Sequence, residues 1–175
     1  AYDEGFNNFL GKADASVTDT YESQAIADIK AAAADLRPVY DRLGGGDGYV
    51  SLEVSPNLAN STDDTIEEAR RLWDMVAEPN LMVKVPGTRA GIPAIRQLIE
   101  DGLNINVTLL FSLTAYQAVA EAYMAGLEAR VKKGEAINRI ASVASFFVSR
   151  IDAQIDKTID ARVREGDPES EALNA

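Results

Sequence analysis

Neither cysteine nor histidine occurs anywhere in the 175 residues. Without cysteine there is no disulfide framework, no thiolate nucleophile and no thiolate metal site. Without histidine there is no Ser-His pair and no imidazole-bound metal. Any catalysis therefore rests on Lys, Asp, Glu, Ser, Thr, Tyr or water, which points to amine and carboxylate chemistry. Long apolar runs are missing too: no stretch approaches a membrane span, and none reads as the hydrophobic part of a signal segment. Positive charge is scarce, with 17 Lys and Arg against 28 Asp and Glu, for a net charge of −11. That balance argues against a nucleic-acid surface and against an anionic membrane as partner. A small anionic substrate stays open, because a few arginines inside a cleft outweigh the global field locally. The remaining composition, 46% hydrophobic and 26% charged, is ordinary for a single soluble globular domain over 1–175.

Glycine, proline and serine punctuate the chain. Tyr2, Phe6, Phe9 and Leu10 recur at helical spacing and read as the end of a helix over 1–12. A second helical stretch over 18–43 carries Ile26, Ile29, Ala33, Leu36 and Val39/Tyr40 on one stripe. Pro38 lies inside it and is expected to kink or interrupt it. The run Gly44-Gly45-Gly46-Asp47-Gly48 follows a helix rather than a strand, so it reads as a helix stop, not a phosphate loop. A rhythm of strand and helix then begins. Strands are expected over 49–54, 81–85, 105–111 and 140–147. Helices follow from the Ser61-Thr62-Asp63-Asp64 cap to about 77, over 92–101 with a stop at Gly102, from the Ser112 cap to about 132–134, and over 150–163. The polar tail, with Gly166 and Pro168, is expected to fray over 165–175. Units of roughly 25–40 residues are the length of βα units in a parallel sheet, which makes the fold class α/β.

The run Leu81-Met82-Val83-Lys84-Val85-Pro86-Gly87-Thr88 stands out, because it sets a lysine in an apolar strand. Burial disfavours the ammonium, and a neutral amine can attack a carbonyl to form a Schiff base. The plainer alternative is a lysine whose ammonium reaches out to solvent. Strand alternation puts Ser51 and Glu53 opposite Val50, Leu52 and Val54, and Asn106 and Thr108 opposite Val107 and Leu109. It likewise puts Val143, Ser145 and Phe147 opposite Ala144 and Phe146. Four parallel strands thus each present an apolar face and a face with polar groups. An inner polar layer with helices outside suits a (β/α)8 barrel whose active site lies at the strand C-terminal ends. Glu53 reads either as a structural ion-pair partner of Lys84 or as an acid exchanging protons with it through water.

At these residues the chain resembles the transaldolase family, in particular the bacterial branch found in actinobacteria and in fusions with phosphoglucose isomerase. The matching stretches are Val50-Ser51-Leu52-Glu53-Val54-Ser55-Pro56, Asn80-Leu81-Met82-Val83-Lys84-Val85-Pro86-Gly87-Thr88, Asn104-Ile105-Asn106-Val107-Thr108-Leu109-Leu110-Phe111-Ser112 and Val143-Ala144-Ser145-Phe146-Phe147-Val148-Ser149-Arg150-Ile151-Asp152. The resemblance implies a cytoplasmic enzyme of the pentose phosphate pathway, a (β/α)8 barrel that moves a dihydroxyacetone unit between sugar phosphates and needs no metal or organic cofactor. It implies that Lys84 is the Schiff-base lysine and that Glu53 and Thr108 hold the water that shuttles protons. It further implies that Asn106 and Ser145 bind hydroxyls of the dihydroxyacetone part, that Phe147 packs over the site, and that Arg150 contacts the substrate phosphate.

The same comparison implies only barrel strands 3–6. The family's first-strand aspartate, its second-strand asparagine and its seventh-strand arginine have no counterpart in these residues. Four strands cannot close an eight-stranded barrel, so the open edges are expected to self-associate or to be covered by the missing segments. Two other readings stand beside a transaldolase: a fructose-6-phosphate aldolase sharing the lysine, and a half-barrel that is only an assembly module, catalytically inactive alone.

Overall fold

The computed structural model describes residues 17–166, so the helix end expected over 1–12 and the tail from 167 onward lie outside the described residues. The elements run α1 (Val17–Arg42), β1 (Val50–Glu53), a 3₁₀ turn (Pro56–Leu58), α2 (Thr62–Val76), β2 (Leu81–Pro86), α3 (Gly91–Asp101), β3 (Ile105–Leu110), α4 (Leu113–Lys132), β4 (Ser142–Phe146) and α5 (Val148–Arg164). The expected punctuation sets their ends. The Ser61 side chain accepts from Asp64 N–H at the start of α2, and Ser112 from Ala115 N–H at the start of α4. Gly102 closes α3 at φ 99°, a left-handed conformation that glycine takes without a Cβ clash.

Pro38 departs from expectation, for α1 runs through it unbroken. Pro38 and Ala34, the residue whose carbonyl loses its helical donor, are both solvent-exposed, so water can satisfy that carbonyl.

The four strands form one parallel sheet in chain order, β1-β2-β3-β4. Leu81, Val83, Val85, Ile105, Val107 and Leu110 are buried on one side beneath Ile26 of α1, Leu72 and Val76 of α2, Ile95, Leu98 and Ile99 of α3, and Val119 of α4. Gly126 lets α4 approach α3 closely: a Cβ there would lie 2.7 Å from the Arg96 carbonyl oxygen. Two buried asparagines immediately before strands tie the lower end of the sheet. Asn80 donates to the carbonyls of Ala33 and Gly48, both at 2.9 Å, joining α1 to the approach of β1. Asn104 donates to Leu81 O at 3.0 Å and accepts from Ala141 N–H at 3.0 Å, joining β2 to the approach of β4. Parallel strands with helices over one face and a polar layer on the other are what a central part of a (β/α)8 barrel requires.

The third strand corrects the expected alternation. Val107 pairs with Ala144 but Leu110 pairs with Phe146, so three steps on β3 match two on β4. Leu109 is the extra residue, left-handed at φ 60° and 42% exposed, while Leu110 takes the core position assigned to it. Such a bulge is rare between parallel strands, and a left-handed leucine costs about 1–2 kcal/mol. Phe111, expected to end the strand, lies beyond it, and β4 is shorter than the expected 140–147. β4 is an edge strand, with Val143 and Ala144 exposed, and α5 buries none of its residues. Among the described residues, no helix is long and apolar enough to cross a membrane.

Candidate active site

Strand register, rather than chain proximity, assembles the polar face. Glu53, Lys84 and Asn106 are Cα partners across β1, β2 and β3, which puts them in one row with the lysine in the middle. Lys84 Nζ lies 3.0 Å from Glu53 Oε2. The Lys84 side chain is 29% exposed and that of Glu53 46%. Apolar residues therefore flank the lysine along its strand, but its amine meets a carboxylate on an open side of the sheet. The direct contact fits both readings of Glu53, an ion-pair partner or an acid exchanging protons with the amine. The pair also supplies an acceptor for the proton an ammonium must shed before it can act as a nucleophile.

Asn106 lies at the centre of a second network. Its Nδ2 donates to Ser51 Oγ at 3.1 Å, and its Oδ1 accepts from Ser145 Oγ at 3.1 Å. The chain Ser145–Asn106–Ser51 crosses from β4 to β1 beside the lysine and fixes the amide's orientation. Ser51 was legible only as a member of the polar face; its pairing depends on register. Such a row of hydroxyl and amide groups can hold a polyhydroxylated ligand, because each group keeps a further donor or acceptor position.

Thr108 is placed differently from Glu53 and Lys84. It is 2% exposed, pairs in register with Pro86, and makes no side-chain hydrogen bond to either residue. Its carbonyl accepts from Gly87 N–H at 2.7 Å. At the top of β4, the Phe147 ring stacks on Phe111 with centroids 5.2 Å apart and planes 17° from parallel. The Arg150 guanidinium lies over Phe147, 4.4 Å from its centroid. Arg150 stands exposed in the first turn of α5, so its donor fork can meet an anion near the strand ends.

Neighbouring loops are tied above the row. Thr88 Oγ1 donates to Ala59 O at 2.6 Å, and Thr62 Oγ1 to Ala90 O at 2.7 Å, so the loops after β1 and β2 hold each other. A cavity of about 360 Å³ lies between α1, α2 and the end of β1, lined by Tyr21, Ile26, Leu52, Val54 and Leu72. Glu53 borders it, but Lys84, Asn106 and Ser145 do not. Beside it, hydrogen bonds that the Arg71 guanidinium donates to Glu22 and then to Glu68 hold it above its ordinary pKa. That cluster joins α1 to α2 and lies apart from the lysine.

Comparison with known proteins follows the same residues. The family model described as "Transaldolase/Fructose-6-phosphate aldolase" matches residues 1–174. A protein named transaldolase from Trichodesmium erythraeum is 50% identical over 153 residues, 87% of this chain and 40% of that protein. One named transaldolase 2 from a Nostoc species is 52% identical over 146 residues, 83% of this chain and 38% of its own length. An actinobacterial protein named transaldolase, from Frankia alni, is 48% identical over 149 residues, 85% of this chain and 39% of that protein. The chain thus spans about two fifths of the length of these curated relatives.

Proposed function

The chain belongs to the transaldolase/fructose-6-phosphate aldolase family, and on that premise we propose that it carries the lysine-bearing centre of a Schiff-base transaldolase. The observation that carries the reading is the Lys84–Glu53 pair at 3.0 Å in one row with Asn106. Lys84 gives up a proton to Glu53 and its amine adds to the C2 carbonyl of fructose 6-phosphate or sedoheptulose 7-phosphate. The carbinolamine loses its hydroxyl as water, with a proton returned through Glu53, and leaves an iminium. Loss of the C4 hydroxyl proton breaks the C3–C4 bond, releasing an aldose phosphate. The bond's electron pair passes into the iminium as an enamine. The enamine adds to the aldehyde of a second aldose phosphate, the acceptor oxygen takes a proton, and hydrolysis frees Lys84.

Asn106 and Ser145 hold the hydroxyls of the three-carbon unit, and Phe147 packs over it. Arg150 takes the phosphate, to which its planar fork is suited. Thr108 joins Glu53 in holding water once ligand fills the row. On this reading the reaction belongs to the pentose phosphate pathway in the cytoplasm. The family description also covers fructose-6-phosphate aldolases. The two differ in whether turnover needs an aldose-phosphate acceptor.

The test is borohydride reduction in the presence of fructose 6-phosphate, read by intact mass. Borohydride reduces an imine to a stable amine and leaves a free lysine unchanged. The expected result is a protein carrying a hexose- or dihydroxyacetone-derived mass. A folded protein without an adduct overturns the reading. Steady-state transfer by these 175 residues alone is expected to be slight, because the family's acid–base aspartate has no counterpart here and positioned proton transfer is worth about 10²–10⁴-fold.

Among the described residues no strand pairs with the outer edges of β1 and β4, and edges and a polar face left so favour self-association. Sedimentation is expected to show dimers or larger species, and a monodisperse monomer would count against it.

A further inference from the structure

Phe111 has no part in the chemistry above, yet the bulge in β3 determines where it goes. Regular alternation from Val107 would carry Leu109 and then Phe111 to the helix-covered side of the sheet. The extra residue at Leu109 hands the core position to Leu110, which is fully buried. The next residue, Phe111, is thereby turned to the side of Ser145 and Phe147, where its ring stacks against Phe147. Phe111 stays 45% exposed, so the bulge does not serve to bury it. A left-handed leucine persists only where its surroundings hold it, and such strain gathers at functional sites.

The stack has three tiers: Phe111, then Phe147 at 5.2 Å, and Arg150 over Phe147 at 4.4 Å. A guanidinium lying over a ring keeps its N–H donors in its own plane, pointing outward rather than into the aromatic face. Arg150 is exposed on a helix that buries nothing, so within this stack its contact is with the Phe147 ring. The Phe147 ring in turn has Phe111 as its stacking partner.

We infer that Phe111 is a positioning residue for Arg150: through Phe147 it holds the guanidinium so that the donor fork faces a phosphate ester at the C-terminal ends of the strands. The inference rests on the proposed phosphate role of Arg150. It adds a residue that acts chiefly on the phosphate end of the ketose.

The experiment compares two ketoses in borohydride trapping, fructose 6-phosphate and dihydroxyacetone, which has no phosphate. Half-saturating concentrations are measured for the unaltered chain and for Phe111→Ala, Phe111→Tyr and Arg150→Ala. Phe111→Ala is expected to raise the value for fructose 6-phosphate up to about tenfold, the scale of the one ring–ring stack it removes. The value for dihydroxyacetone, whose three carbons Phe147 covers, is expected to rise much less. Phe111→Tyr, which keeps the ring, retains both original values, and Arg150→Ala reproduces the selective loss. A rise for both ketoses alike, or for neither, overturns the positioning role. If Arg150→Ala leaves fructose 6-phosphate unaffected, the phosphate role of Arg150 falls and that of Phe111 with it. If the unaltered chain traps neither ketose, the Schiff-base reading itself has failed, and the inference goes with it.

Discussion

Replacing Lys84 by arginine is expected to abolish the ketose adduct while the protein stays folded. Arginine keeps the positive charge, and its fork can pair with Glu53 across the two strands as the ammonium does. A guanidinium stays protonated and cannot add to a carbonyl, so nucleophilicity is the one property removed. Stability should change by no more than about 1 kcal/mol, because a pair this open to solvent contributes roughly 0–1 kcal/mol. Trapping in Lys84→Arg should fall to the level set by the five other lysines in the sequence. Intact-mass spectra after borohydride reduction, beside a urea titration of both proteins, check both halves of the expectation. An adduct that survives at its original level would remove Lys84 from the chemistry.

Glu53→Gln should have the next largest effect, and it separates the two roles open to that residue. Glutamine preserves shape and hydrogen bonding to the amine but cannot accept a proton from it. If Glu53 is only an ion-pair partner, the substitution costs about 1 kcal/mol or less of stability, given its exposure, and trapping continues. If it takes the proton from Lys84 and returns it to the leaving hydroxyl, the rate of adduct formation drops about 10²-fold or more, the lower end of positioned acid–base catalysis. The larger result is expected, because the 3.0 Å contact aligns the carboxylate with the atom that must be deprotonated. The initial rate of trapping at saturating dihydroxyacetone measures it, and an unchanged rate would confine Glu53 to a structural role.

Much of this site could be read from local pattern, and the parts that could not share a cause. Ser61, Ser112 and Gly102 act within one turn of their own helices, so their effect is written beside them in the sequence. Alternation alone puts Glu53, Lys84, Asn106 and Ser145 on one face, and a parallel sheet in chain order brings that face together. The bulge breaks the pattern where it cannot be foreseen. Leu109 and Leu110 are identical residues, and which one enters the core is decided by how β3 pairs with β4. Phe111 was lost from view for the same reason, since its face follows from the parity of that step. Pro38 is a milder case: its residue type argues for a break, but the exposure of Ala34 removes the cost. Asn80 and Asn104 stand just before strands, and only the folded chain shows them bonded to segments far away in sequence.

The most direct test of the central claim is the location of the reduced adduct. The chain has six lysines, and among the described residues Lys84 is the one that lies in a strand. After reduction with fructose 6-phosphate, proteolysis and peptide mass mapping should place the added mass on the peptide containing Lys84, with Lys12, Lys30, Lys132, Lys133 and Lys157 unmodified. Modification spread over the surface lysines, with Lys84 bare, would show that the strand lysine is not the reactive amine.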